Sequence, residues 1–460
     1  MATTRNSFMK AVRPVAPLIL CAISTYVAVM AFYPFLPKLL LGILCPGENE
    51  CSDIIYLMGA LQLGMGIAAV VTAPILGGLS DSYGRKPVFL LIFTTAILPP
   101  LLLACLKTTT GVYLWFLLAL VANTFREGGL VPTLLAAVAH VVDENHRPKA
   151  NGLTIGSTAF GFIVGTVAST AMKTVDHAIW TSVILQVLAT IYLQIFLKET
   201  NPRGPLLPGN DSQSESAMKL LPKSEMKRPF FLDFRETART FWSSRRLVII
   251  VMVNFLYSYG TAALDTFTVY YLIAVFNYGE KQVAVIYLLG GGGTALAMTI
   301  VYPALSHIFG ERVVLWIGLL GGVVHYLLYG LAWNPWMPYF AAAMELFHSV
   351  TKPALGTMVS RGVDREQQGK MQGFMSAVQN GARILAPFTI TPLSAVSLGE
   401  NPPFGLKGFP FVVCGFGMVL AWLISTGMPS LPRPMHSGEP TEDIQAPVPP
   451  VEHTIAPSVN

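Results

Sequence analysis

Charge is what this chain has least of. Asp, Glu, Lys and Arg make up 12% of its 460 residues, about half the ~25% usual in soluble domains. Missing too are a Walker-type phosphate loop, a His/Cys metal cluster and a nucleophile motif. Those gaps argue against ATP-driven pumping and enzyme chemistry, and no cofactor or metal is expected. The formal net charge is only +5, and the basic residues fall in loops between apolar runs, so nucleic acid is excluded as a partner. Cysteine is sparse at five. Cys21, Cys105 and Cys414 sit in apolar runs as packing residues, whereas Cys45 and Cys51 bracket "CPGENEC". A disulfide there would clip a short loop on an oxidising side; two unrelated thiols are the other reading.

What the chain has in excess is apolar length. Hydrophobic residues reach 53% and mean hydropathy is +0.56. Twelve apolar runs, from 15–44 to 408–429, are each about 20 residues or more, enough to cross a bilayer core of about 30 Å. The expected fold class is an all-α membrane protein with twelve transmembrane helices. The first run is too long for a cleaved signal peptide and reads as a retained span. Of the 30 Lys and Arg, 22 fall on the side of the N-terminus, so both termini are expected in the cytoplasm.

Six runs, a break and six more runs set the domain expectation: a six-helix bundle over 1–198, a Pro/Ser-rich cytoplasmic linker over 199–246, a second bundle over 247–430 and a disordered tail over 431–460. The linker carries a sequon at Asn210, expected to go unused there, and a short amphipathic stretch near Phe230 to Trp242. The halves echo each other. "LSDSYGRKPV" from Leu79 lines up with "LSHIFGERVV" from Leu305, and "KANG" from Lys149 with "KMQG" from Lys370. Two matched loops at nearly one offset point to a duplicated unit, one of the plans used by secondary transporters.

"GGLSDSYGRK" resembles the loop motif of the major facilitator superfamily, carried here by Gly77, Asp81, Gly84, Arg85 and Lys86 and placed between the second and third runs. Ser82 departs from the usual base after the Asp. Within the superfamily, "SRGVDREQQGKMQGFMSAVQNGARILAPF" from Ser360 is similar to the tetracycline-efflux-like branch and to hippocampus-abundant-transcript-like proteins and their plant relatives. The resemblance implies two pseudo-symmetric six-helix bundles, a cavity lined by the first, fourth, seventh and tenth spans, and a gating loop at Gly77 to Lys86 that latches the halves; a plain topogenic signal is the alternative for that loop. The Gly-Pro pair usual in the fifth span of drug antiporters is absent, which weighs against proton-driven drug export. Instead Gly152, Gly156, Gly161 and Gly165 suit close helix contact.

Charges inside spans cost roughly 2.5–3.5 kcal/mol each and call for a partner, a wet cavity or a function. Here they are Arg126 and Glu127 in the fourth span, Asp265 in the seventh, Glu345, His348 and Lys352 in the tenth, and Arg383 in the eleventh. Glu345, His348 and Lys352, spaced i, i+3 and i+7, are expected on one helical face. A carboxylate beside an imidazole suits proton handling; a static ion pair is the alternative. Arg126 and Glu127, as neighbours, are expected to point about 100° apart. Asp265 lies among Asn254, Tyr257, Tyr259, Tyr270 and Tyr271, rings able to stack on an organic solute or to sit in an interfacial belt. Arg383 with Gln372, Gln379 and Asn380 forms a polar stripe that holds an anionic group or ties helices.

These features favour a secondary active transporter of a small organic solute, coupled to protons and working by alternating access as a monomer in the plasma membrane or an endomembrane such as vacuole or endosome. A membrane adaptor or sensor retaining the fold, or a facilitative uniporter, is the alternative.

Overall fold

The computed structural model describes residues 16–47, 51–142, 147–197, 244–361 and 368–429. The tail and all but the end of the linker, with Asn210 and the stretch near Phe230, lie outside them. The apolar runs form α1 (Ala16–Phe32), continued through a 3₁₀ turn into α2 (Leu36–Leu44), then α3 (Ser52–Tyr83), α4 (Arg85–Cys105), α5 (Thr109–Phe125), α6 (Val131–Val141), α7 (Arg147–Ala171) and α8 (Val175–Phe196). The second set is α9 (Arg245–Phe276), α10 (Glu280–Leu296), α11 (Tyr302–Phe309), α12 (Glu311–Gly330), α13 (Met337–Ala343), α14 (Glu345–His348), α15 (Thr351–Ser360), α16 (Gln368–Leu398) and α17 (Phe409–Thr426). No strand occurs among the described residues. Large exposed side chains such as Leu117, Ile184, Leu188 and Leu423 leave an apolar outer surface, as a bilayer-facing helix requires.

Eleven helical stretches among the described residues are long and apolar enough to cross a membrane. The expected tenth run is the exception, because it comes in three pieces, α13, α14 and α15. The backbone tightens at Met344 (ψ −15°), Ser349 (ψ −19°) and Val350 (ψ −16°), and Phe347 N and Val350 N bond three residues back. Pro353 is one cause, since it has no N–H for the carbonyl of Ser349 and its ring crowds that carbonyl. Two π-helical turns, Arg126–Leu130 and Ala297–Val301, have the same origin: Pro132 and Pro303 stand in the first turn of the helix that follows each, and widening the turn accommodates the missing donor.

Helix pairing repeats between the two sets. In the first, α1 packs on α7 and α8, and α4 on α8; in the second, α9 packs on α16 and α17, and α12 on α17. Two seams join the sets, α3 against α16 and α7 against α10.

The echoed loops repeat in detail. Gly84 (φ 97°, ψ 165°) and Gly310 (φ 76°, ψ 162°) turn the chain between helices in the same conformation, one reserved almost wholly for glycine. Lys86 Nζ then donates to the carbonyl of Gln194 at 2.7 Å, in the last turn of α8, and Arg312 Nη2 to that of Thr426 at 3.0 Å, the last residue of α17. Each cation answers unpaired carbonyls at the negative end of a helix dipole. Gly84→Ala and Gly310→Ala should each lower stability by of order 1–3 kcal/mol, read as a fall in melting temperature in detergent; an unchanged Tm for either would contradict the strain argument.

Candidate functional site

A cavity of about 570 Å³ lies between the two sets and is lined from both, within the usual ligand-pocket range of about 300–1,000 Å³. Its charged lining residues are Arg126, Glu127, Asp265, Glu345 and Arg383. Aromatic walls come from Tyr33, Trp115, Phe162, Tyr270, Tyr287 and Tyr329. Of the tyrosines flagged near Asp265, Tyr270 reaches the cavity; Tyr257 and Tyr271 are buried in the core.

The two sets touch near the Cys45–Cys51 end, where those two cysteines form a disulfide. There Lys38 pairs with Glu280 across the sets at 3.0 Å, and Tyr33 meets Tyr287 edge to face at 5.5 Å. Both seams approach closely through glycine. A Cβ on Gly59 would stand 2.1 Å from Thr391 Oγ1, one on Gly66 3.0 Å from Ile384, and one on Gly291 2.1 Å from Phe162.

Glu345 is the most elaborately held of the charged groups. Ser349 Oγ donates to its Oε1 at 2.5 Å and Thr294 Oγ1 to the same oxygen at 3.4 Å, while the two hydroxyls lie 2.8 Å apart. His325 Nε2 stands 3.6 Å from Oε2, with Nδ1 of that ring 2.7 Å from the carbonyl of Ala341, a contact that orients the imidazole. The sequence reading missed His325, Thr294 and Ser349. A histidine inside an apolar run is itself an ionisable intramembrane residue, so His325 carried a signal, whereas single hydroxyls in helices do not stand out.

Two expectations about side-chain direction and one about the cavity lining are corrected. Glu345, His348 and Lys352 do not share the cavity face. Three residues along a helix falls about 60° short of a turn, and His348 is wholly buried against Tyr257, Tyr326 and His325, ring centroids 4.7, 5.5 and 5.7 Å away. Lys352, about 10 Å along the axis from Glu345, is outside the lining. Arg126 and Glu127 both reach the cavity and pair at 3.5 Å, since two long side chains on neighbouring positions can bend to a common point even when their Cα–Cβ directions diverge. The cavity also draws residues from α3, α10, α12 and α16, beyond the four spans expected.

In the loop motif, Gly84 and Lys86 act as described above and Arg85 is buried. The side chain of Asp81, on which the latch expectation turns, lies outside the described ones. Of the four glycines of α7, Gly161 and Gly165 abut backbone atoms of α1, while Gly152 and Gly156 have nothing within 4 Å of a built Cβ. The packing expectation therefore holds for two of the four.

Two sets of helices with repeated pairing, enclosing a charged cavity, have the architecture of a membrane transport protein. The family description "Major Facilitator Superfamily" matches residues 18–387, and the chain belongs to that superfamily as an integral multi-pass membrane protein. Human hippocampus abundant transcript 1 protein is 24% identical over 406 residues, covering 81% of this chain and 77% of that one. Tetracycline resistance protein, class C, from Escherichia coli is 25% identical over 370 residues, covering 79% and 85%. Among solved structures, nucleoside transporter NupG superposes with a TM-score of 0.66 at 12% identity over 90% of this chain and 98% of that one.

Proposed function

We propose that the chain is a secondary active transporter, not an enzyme, that moves a small organic solute by alternating access, with Glu345 as the group that takes up and releases the coupling proton. The observation that carries this reading is the placement of Glu345: on the wall of a cavity built from both helix sets, backed by His325 and met by two hydroxyls. Ionised, Glu345 accepts from Ser349 and Thr294; protonated, it becomes a donor itself. The two states therefore differ in which helices they hold, since Thr294 belongs to α10, His325 to α12 and Ser349 follows α14. That difference is what a proton needs in order to bias two arrangements of the helices.

In this reading the halves 1–198 and 247–430 rock about the cavity, the Lys38–Glu280 and Tyr33–Tyr287 contacts part when the opposite arrangement forms, and the loop from Gly77 to Lys86, with Asp81, latches one of the two. The protein works as a monomer with both termini in the cytoplasm, in the plasma membrane or an endomembrane. Each charge moved through 100 mV supplies about 2.3 kcal/mol, enough for substantial concentration of a solute.

The test is reconstitution into liposomes with a panel of small organic anions and cations, followed with and without an imposed pH gradient. At least one solute should accumulate only when the gradient is present. Movement indifferent to the gradient would mean facilitated diffusion, and no movement of any solute would count against transport.

A further inference from the structure

The polar stripe of α16 divides along its length. Gln372 Nε2 donates to the carbonyl of Gly356 at 3.0 Å and lies 3.1 Å from Ser360 Oγ, tying α16 to α15. Gln379 Nε2 donates to Asn254 Oδ1 at 3.0 Å, and Asn254 Nδ2 in turn to the carbonyl of Met375 at 3.1 Å, tying α16 to α9. Those two glutamines are structural. Asn380 and Arg383, one turn apart on α16, both line the cavity instead.

The other charges of the lining are accounted for differently. Arg126 and Glu127 pair and cancel. Glu345 is met by hydroxyls and an imidazole. That leaves Arg383 and Asp265, and among the described residues no carboxylate stands within ion-pair distance of Arg383. A guanidinium is a fixed cation with a planar fork of donors matched to a carboxylate, and the amide of Asn380 adds two more donors beside it. A fixed charge within the membrane, on the wall of a cavity and with no carboxylate in direct contact, marks a place where a solute of opposite sign can bind.

From this geometry, together with the aromatic walls, we infer that Arg383 and Asn380 form the anion-binding subsite of the cavity, and that the solute is an organic anion with an aromatic body and a carboxylate or similar planar anionic group. The inference rests on the reading of this cavity as the solute site. Asp265 then repels part of the solute's charge and sets an upper limit on how tightly the anion is held.

The experiment separates binding from transport. Full-length protein in detergent is titrated with two anionic probes, fluorescein and 2-naphthoate, and with rhodamine 6G, a cationic dye on a xanthene core like that of fluorescein; the same probes are then offered to proteoliposomes. Wild type should bind the anions in preference to rhodamine 6G. Arg383→Gln should raise their Kd by about tenfold or more, the loss of a charged hydrogen-bonding partner. Arg383→Lys should retain part of the affinity, and Asp265→Asn should tighten it. Thermal melting of each variant verifies folding. Preference for rhodamine 6G, or anion binding indifferent to Arg383→Gln, overturns the inference, as does the absence of Arg383-dependent binding for both anions. Arg383-dependent binding without transport would leave the subsite standing and remove the transporter reading; transport of rhodamine 6G alone would do the reverse.

Discussion

Glu345→Gln protein in liposomes should bring its solute to the same concentration on both sides whatever pH gradient is imposed, if Glu345 carries the proposed coupling proton. For one proton per solute, wild type should sustain about tenfold accumulation per pH unit, since one unit is worth about 1.4 kcal/mol. The substitution is nearly isosteric. The amide oxygen still accepts from Ser349 and Thr294, and the amide NH₂ can donate toward His325, so the contacts at 2.5, 3.4 and 3.6 Å keep plausible partners and the fold survives. Only the exchangeable proton is lost. Downhill exchange of solute should continue while uphill movement stops, a split that general unfolding does not produce. Accumulation that still follows the gradient in the variant would move the coupling group elsewhere, with Asp265 the next carboxylate on the wall.

The second large effect is on stability. Gly161→Val and Gly165→Val should each cost about 1–3 kcal/mol or more, against a total of about 5–15 kcal/mol for a typical domain, and the double variant should not accumulate as folded protein. A Cβ at Gly161 would lie 2.7 Å from the carbonyl oxygen of Ile23, and one at Gly165 2.7 Å from that of Val27 and 2.8 Å from Met30 Cβ. Those carbonyls belong to the backbone of α1, so no rotamer change relieves the clash. Because apolar side chains gain little by leaving lipid, such backbone-close packing carries much of the association between membrane helices. Gly156→Ala, one turn earlier and facing open space, should be neutral or gain up to about 1 kcal/mol from helix propensity. Melting curves followed by size-exclusion in detergent read both, and equal effects at Gly156 and Gly161 would refute the packing argument.

Hydropathy made the helices legible, and the echo of "LSDSYGRKPV" in "LSHIFGERVV" made their duplication legible, because apolar length and Gly-centred turns are local properties. Gly84 and Gly310, aligned by that echo, share one backbone conformation. The charged residues of the cavity were also readable, since an ionisable group in hydrocarbon is rare. Their directions were not. The π turn at Arg126 and the tightened backbone at Met344 and Ser349 depart from an ideal helix, and Pro132 and Pro353, two of the residues responsible, stand inside apolar runs that hydropathy reads as continuous. The split between Gln379, which binds Asn254, and Arg383, which reaches the cavity, depends on a neighbouring helix, and no pattern along one chain records that.

The seams have a consequence for speed. Where α3 meets α16 and α7 meets α10, Gly59, Gly66 and Gly291 form notches filled by the side chains of Thr391, Ile384 and Phe162, and in the proposed rocking each of those side chains must leave its notch before the helices slide. Interdigitated leucines would have to disengage in concert, and that disengagement would raise the activation barrier of the proposed rocking without changing either end state. With glycine on one side, each of these contacts has a single side chain to withdraw instead of two, which lowers the drag that the proposed rocking would have to overcome.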